Sequence, residues 1–483
     1  MKEIRKASKR FVKRKEREMS DKMEINWLKE VKNRRDEIVY ELREFLQYDS
    51  VYDEKTRKAG APFGTKIEAA LLHLLNLGKK ANFSVRNLEG YAGYIEMGQG
   101  EESVGILCHI DVVPPGEGWS SPPFAAEIQN DRIVARGALD DKGPTIAAFF
   151  AMRIIHELNL SIKRRVRLII GTDEERNWEC VDFYFRHEEM PTVGIVPDAD
   201  FPIIVAEKGV LDVEVSIPFH DTSEHPVRLQ TFYAGERLNM VPDRAIASLI
   251  CSHESTEAIK ASFDHFIEEH QLEGKAKAEN GLLMLTLEGK SAHGSTPEKG
   301  INAAVKLAQF LHHVNGLSDP FIQFISEHLR ETNGAGLSIA CSDDVSGPLT
   351  MNAGRFAYTY GEAGTIGVNI RYPVTVDIET FLAGLQAHNH RIMNHLKPSY
   401  VEKDHPLIRT LQTVYKRQTG EEATLLAIGG GTYARALKTG VAFGPLFPDE
   451  EDTAHQKDES ISIDQLLRAT ALYAEAIYEL ASQ

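Results

Sequence analysis

The chain has 483 residues, 71 Asp plus Glu against 55 Lys plus Arg, and a formal net charge of −16. That length exceeds what one hydrophobic core organises, and 42% hydrophobic with 26% charged residues is the composition of a folded globular protein. The acidity excludes a general nucleic-acid binder, which needs a basic face for phosphates. No apolar run approaches the roughly 20 residues of a membrane span. The four cysteines, Cys108, Cys180, Cys251 and Cys341, form no CxxC. A disulfide scaffold or thiolate zinc site is thereby disfavoured, and a cytoplasmic setting is expected.

Residues 1–22 carry ten basic and four acidic side chains. They read as a basic extension without the apolar stretch of a secretory signal, with the fold beginning near Met23. From there the pattern alternates between helix and strand. Lys66–Lys80 places Ile67, Leu71, Leu74 and Leu75 on one helical face. Val104–His109, Val166–Thr172 and Val193–Val196 are short, nearly continuous apolar runs, as in buried parallel strands. Pro144 opens a helix running to Leu158. The stretch 206–403 differs: Leu211–Ile217 and Leu282–Leu287 read as half-exposed strands, with helices at 254–270 and 301–315. A second set follows, strand Ile366–Tyr372 and helix Ile378–His395. The last stretch returns to the first style, with a helix at 406–418, a strand at Thr424–Ile428, a glycine loop at 429–431 and a helix from Ile463 to Leu480. The expected fold class is α/β: a mixed, mainly parallel sheet flanked by helices, with an inserted α+β domain of two similar halves. The expected domains are 23–205 and 404–483 for the sheet and 206–403 for the insert.

Ligands of open α/β sheets gather outside the carboxyl ends of strands. Polar residues stand at those ends here: His109 and Asp111 after the first apolar run, Asp173-Glu174-Glu175 after the second, Asp198 after the third. Asp140-Asp141 precede the helix at Pro144, and His455 sits in an acidic loop before the last helix. Taken singly, each has a bland reading: a satisfied histidine, a helix cap, a solvated acidic turn. Together they make a nitrogen and oxygen donor set suited to zinc, manganese or cobalt.

In this ordered set the chain resembles the co-catalytic metallopeptidases that include aminoacylase, acetylornithine deacetylase, succinyl-diaminopimelate desuccinylase and the PepV-type bacterial dipeptidases. It is most similar to the last, through HIDVVPPGEGW, ARGALDDKGPT, GTDEERNW, PDADFP, LNMVPD, GKSAHGSTPEKGINA, NIRYP and GGGTYAR. The resemblance implies two divalent ions, zinc first with manganese or cobalt as alternatives, bridged by Asp140. His109 and Asp198 would complete one position, Glu175 and His455 the other. Asp111 would orient the histidine, and Glu174 would be general base and acid toward a water held between the ions. His293 of the insert, acting as a lid, would stabilise the oxyanion. Asn239, Arg371 and the loop Gly429, Gly430, Gly431 would contact the substrate, Arg371 taking its terminal carboxylate. The implied activity is hydrolysis of dipeptides by a monomer, with deacylation of N-acyl amino acids as the alternative. For His293 and Arg371 the residues alone also fit a loop histidine and a surface strand end.

Overall fold

The structure, a computed structural model, describes residues 25–483, so the basic segment 1–22 lies outside the described residues. The described chain forms two compact units. One contains the residues up to Ile203 with Glu402–Leu425 and Thr432–Gln483; the other contains Ile204–Val401 with Leu426–Gly431. The glycine loop, expected with the returning C-terminal stretch, therefore groups with the second unit.

The sheet of the first unit is built on β1 (Ser84–Leu88), β2 (Ala92–Met97), β3 (Ser103–His109), β4 (Arg165–Gly171) and β5 (Val193–Val196). Their order is β1-β2-β4-β3-β5, followed by the short strand Gly440–Ala442. β3 runs parallel to both β4 and β5, and β5 runs parallel to Gly440–Ala442; β1 and β2 are antiparallel additions. Every residue of β3 and of β5 is buried, which is why both read as unbroken apolar runs. Helices Lys142–Glu157 and Ile463–Ala481 pack on each other and on β3. Leu107, Ile169 and Val196 join Phe63, Tyr184 and Tyr433 in a further apolar cluster. A side chain at Gly171 would come within 2.5 Å of the Tyr433 hydroxyl, so only glycine lets β4 lie against that ring.

The second unit holds an eight-stranded antiparallel sheet: β6 (Gly209–Ile217), β7 (Val227–Ala234), β8 (Arg244–Cys251), β9 (Glu273–Glu279), β10 (Leu282–Glu288), β11 (Thr350–Thr359), β12 (Gly364–Tyr372) and β13 (His390–Leu396). The order is β9-β10-β8-β7-β11-β12-β6-β13. β10 alternates strictly, burying Leu283, Leu285 and Leu287 in a core shared with Phe263 of helix His253–Glu269 and Phe310 of helix Ala303–His312. Side chains of Ser252, Asn302, Asp319 and Asp377 cap the four helices of this unit.

One element departs from expectation. The helix foreseen over Ile378–His395 ends at Leu385, and His390–Leu396 is instead the edge strand β13, paired with β6. Ile392 and Met393 lie seven and eight residues after Leu385, a spacing that continues the helical pattern. Yet β6 offers a free edge, with Asp212 and Glu214 accepting hydrogen bonds from Asn394 and Arg391. Tertiary pairing overrides the local periodicity.

Candidate metal centre

The first unit brings one end of its sheet together with two loops. His109 is the last residue of β3 and stands in register with Gly171, the last of β4. Asp173, Glu174 and Glu175 follow β4 and Asp198 follows β5 at the same end. Asp140 lies in the turn before helix Lys142–Glu157. There a side chain at Gly143 would sit 2.0 Å from the Ala138 carbonyl oxygen, so the turn closes only around glycine.

Five candidate ligands fall into two groups that share Asp140. Its Oδ1 is 2.9 Å from His109 Nε2, which is also 3.7 Å from Asp198 Oδ2. Its Oδ2 is 2.9 Å from His455 Nε2, which is also 3.0 Å from Glu175 Oε1. Within each group one donor atom per residue lies within 4.8 Å of the others. His455 takes a left-handed backbone, φ 61°, a conformation that costs a non-glycine residue about 1–3 kcal/mol and is held at functional sites by its surroundings.

The residues fit divalent cations. His109 Nδ1 is 3.0 Å from the backbone carbonyl oxygen of Asp111, which fixes the tautomer with the ring proton on Nδ1 and leaves Nε2 as a lone pair. That nitrogen and Asp140 Oδ1 are both buried without a hydrogen-bond partner among the described residues. A lone pair facing a carboxylate oxygen at 2.9 Å is repulsive unless a positive charge lies between them. The donors are imidazole nitrogens and carboxylate oxygens with no thiolate, the set expected for zinc, manganese or cobalt.

The electrostatics carry the same message. Burial lowers the proton affinity of His109, but the carboxylates of Asp111, Asp140 and Asp198 outweigh it and raise the imidazole well above its ordinary value. Hydrogen bonds donated to the Asp140 and Glu175 carboxylates push His455 up to about 11. Burial, helped by Asp140, pushes Asp198 up to about 6. Burial also raises Glu174 well above the usual carboxylate range, with Asp198, Glu175 and Asp140 adding to it and His109 opposing. Raised proton affinities on several clustered groups mark an anionic site that favours positive charge.

Asp111 has two duties. Its carbonyl takes the His109 ring proton, while its carboxylate accepts the backbone N–H groups of Glu174 at 3.0 Å and Glu175 at 3.1 Å. Two further residues act here, Asp141 in a role other than the cap or ligand expected of it and Glu459, which sequence reasoning missed. Asp141 accepts the backbone N–H of His109 at 3.0 Å. Glu459, fully buried, is bonded to the turn that carries Asp140. Its only sequence signal was an acid four residues after His455.

The remaining candidates lie in the second unit and cluster there. The backbone carbonyl of Asn239 accepts Gly294 N–H at 2.7 Å, and Met240 bridges to His293. Arg371, on β12 and only 7% exposed, donates to Asn369 Oδ1 at 2.8 Å and to the Gly429 carbonyl at 2.7 Å. A side chain at Gly429 would lie 2.8 Å from Ser295 Cβ, so this glycine lets the loop 429–431 close on the His293 loop. His293 Nδ1 accepts the Ser295 N–H at 3.3 Å, which leaves the proton of the neutral ring on Nε2. Burial and Arg371 lower its proton affinity and keep it neutral.

No helix among the described residues is long and apolar enough to cross a membrane. The sequence profile of the family described as Peptidase family M20/M25/M40 matches residues 105–479. A protein of Bacillus subtilis (strain 168) named "Putative dipeptidase YtjP" is 49% identical over 464 residues, covering 95% of this chain and 100% of its own. A Staphylococcus epidermidis (strain ATCC 12228 / FDA PCI 1200) protein named "Putative dipeptidase" is 41% identical over 465 residues, covering 94% of this chain and 99% of its own. The fold is similar to the crystal structure of human carnosine dipeptidase 1, with a TM-score of 0.54 at 12% identity over 95% of this chain and 98% of that one.

Proposed function

Since the chain belongs to peptidase family M20/M25/M40, we propose that it is a metal-dependent dipeptidase that hydrolyses the peptide bond of dipeptides. The observation that carries the reading is the shared Asp140, one oxygen toward His109 and the other toward His455, with Glu174 beside them. His109, Asp140 and Asp198 would hold one divalent ion and Asp140, Glu175 and His455 a second, zinc being the first choice for these donors. When bound, such ions polarise a peptide carbonyl and ease the ionisation of water near neutral pH.

The chain's own groups do the rest. The Glu174 carboxylate, made more basic by burial, takes a proton from the water whose oxygen bonds to the carbonyl carbon. It returns that proton to the amine nitrogen as the C–N bond breaks, so the products are one carboxylic acid and one amine. Asp111 fixes Glu174 by its backbone. His293, carrying its proton on Nε2, is assigned the developing oxyanion, where one such donor is typically worth about 3–4 kcal/mol. Arg371, oriented by Asn369 and Gly429, is assigned the substrate's terminal carboxylate, with Asn239 and Gly430–Gly431 lining the approach. Four free thiols support a reducing, cytoplasmic setting.

The test is a matrix of metals against substrates on chelated, reloaded protein, with dipeptides alongside N-acetyl and N-succinyl amino acids. Release of free amino acids from dipeptides, restored by metal, is expected. Faster turnover of the acyl amino acids would replace the dipeptidase reading with a deacylase.

A further inference from the structure

Glu459 is a carboxylate near the proposed metal centre that is fully buried, 0% exposed, and four donors converge on its side chain. Its Oε2 accepts Arg136 Nη1 at 2.6 Å and the backbone N–H of Gly137 at 3.1 Å. Its Oε1 accepts the N–H of Leu139 at 2.9 Å and of Asp140 at 3.1 Å. Its own carbonyl takes the N–H of Ala135 at 2.9 Å. The turn 135–140 is thus wrapped around one side chain. Arg136 is itself 1% exposed and lies 5.2 Å from the Trp119 ring centre.

The position of Glu459 in the chain gives this arrangement its consequence. His455 lies four residues earlier in the same loop, while Asp140 is bonded through its own N–H to the Glu459 carboxylate. One side chain therefore ties together the two segments whose side chains meet at 2.9 Å, Asp140 Oδ2 and His455 Nε2. We infer that Glu459 is a positioning residue for the metal position formed by Asp140, Glu175 and His455, setting the distance between two of its three ligands. The inference rests on the metal reading above. A purely structural buried ion pair with Arg136 would need one hydrogen bond. The three backbone bonds to Gly137, Leu139 and Asp140 go beyond that and are directed at the ligand-bearing turn.

A glutamine at 459 keeps the shape but turns an NH2 group toward backbone N–H donors, so some of those bonds must break. The experiment is calorimetric titration of chelated protein with Co2+, with the visible spectrum of the bound cobalt recorded at each addition. Wild type is expected to take up two equivalents. Glu459→Gln is expected to take up the first with little change and the second about 10–100-fold more weakly, the range for losing a partner that orients a ligand. The spectrum of that second cobalt should alter.

The double variant Arg136→Met with Glu459→Gln removes the whole buried pair, an exchange that is often close to neutral for stability. If Glu459 positions the ligands, the double variant folds yet keeps the weak second equivalent. Full recovery of the second equivalent in that variant overturns the proposal, because ion-pair stability would then account for the effect. So does unchanged affinity in Glu459→Gln, with wild type binding two ions. A wild-type chain that binds no divalent ion overturns the metal reading, and this proposal with it.

Discussion

The carboxylate of Asp111 accepts the backbone N–H of Glu174 at 3.0 Å, and the carbonyl of the same residue takes the ring proton of His109. One residue therefore fixes both the tautomer of a metal-ligand candidate and the place of the proposed base. Glu174→Ala should retain metal and lose about 10²–10⁴ in kcat, the usual share of a general base. Metal content by elemental analysis beside dipeptide turnover checks it, and near-normal turnover would remove Glu174 from the mechanism.

The raised proton affinity of Asp198, about 6, sets a pH limit on metal uptake. Its folded value lies above its unfolded value, so the metal-free fold binds more protons than the unfolded chain between about pH 4 and 6. Metal-free stability from this group accordingly falls as pH rises through that window. A cation must displace this proton as well as those held by His109 and His455, so the competition steepens as pH falls below about 6. Zinc should raise the melting temperature of chelated protein more at pH 7.5 than at pH 5. An equal rise at both would count against the ligand role of Asp198.

Arg371 is held by Asn369 and Gly429 with its guanidinium fork oriented, which suits a bidentate carboxylate. Arg371→Met should reduce kcat/KM for dipeptides by about 100-fold, near 3 kcal/mol, as when one partner of a desolvated charge pair is removed. The same change should matter far less for dipeptide amides, which lack the carboxylate. Parallel losses on both substrates would point to a folding role instead.

Whether His293 serves its own chain can be read by mixing. Glu174→Ala and His293→Ala are each expected to be nearly inactive, and their mixture is expected to stay so if one chain is complete in itself. Activity that returns on mixing would show the histidine acting on a partner copy, and sedimentation of the mixture would then reveal a dimer.

Much of the proposed centre was legible because of one geometric fact: a central parallel sheet buries its strands and exposes their carboxyl ends. His109, Glu175 and Asp198 were found as polar residues terminating apolar runs, and β3 and β5 match those runs closely. Glu459 was not legible, since its role comes from backbone donors that sequence does not display. Asp141 read as a helix cap or a ligand, whereas its carboxylate takes the N–H of His109. The edge strand β13 was misread as helix because Ile392 and Met393 keep helical spacing after Leu385, while the pairing with β6 that overrides it comes from 180 residues earlier in the chain. The glycine loop 429–431 was expected with the C-terminal stretch and instead groups with the second unit, where Arg371 donates to the Gly429 carbonyl, a contact that leaves no trace in composition.

The short strand Gly440–Ala442 has a consequence for biosynthesis. It pairs in parallel with β5, whose four residues are all buried. Some 240 residues separate the two, so at translation speeds of about 5–20 residues per second β5 waits on the order of ten seconds or more for this neighbour. During that interval an apolar strand with unsatisfied backbone groups is open to other chains. His455 emerges later still, so the second candidate metal position cannot assemble on a nascent chain. A ribosome stalled near residue 430 should carry a product that chaperones hold and that metal does not rescue, whereas release of the full chain should allow sheet and centre to close together.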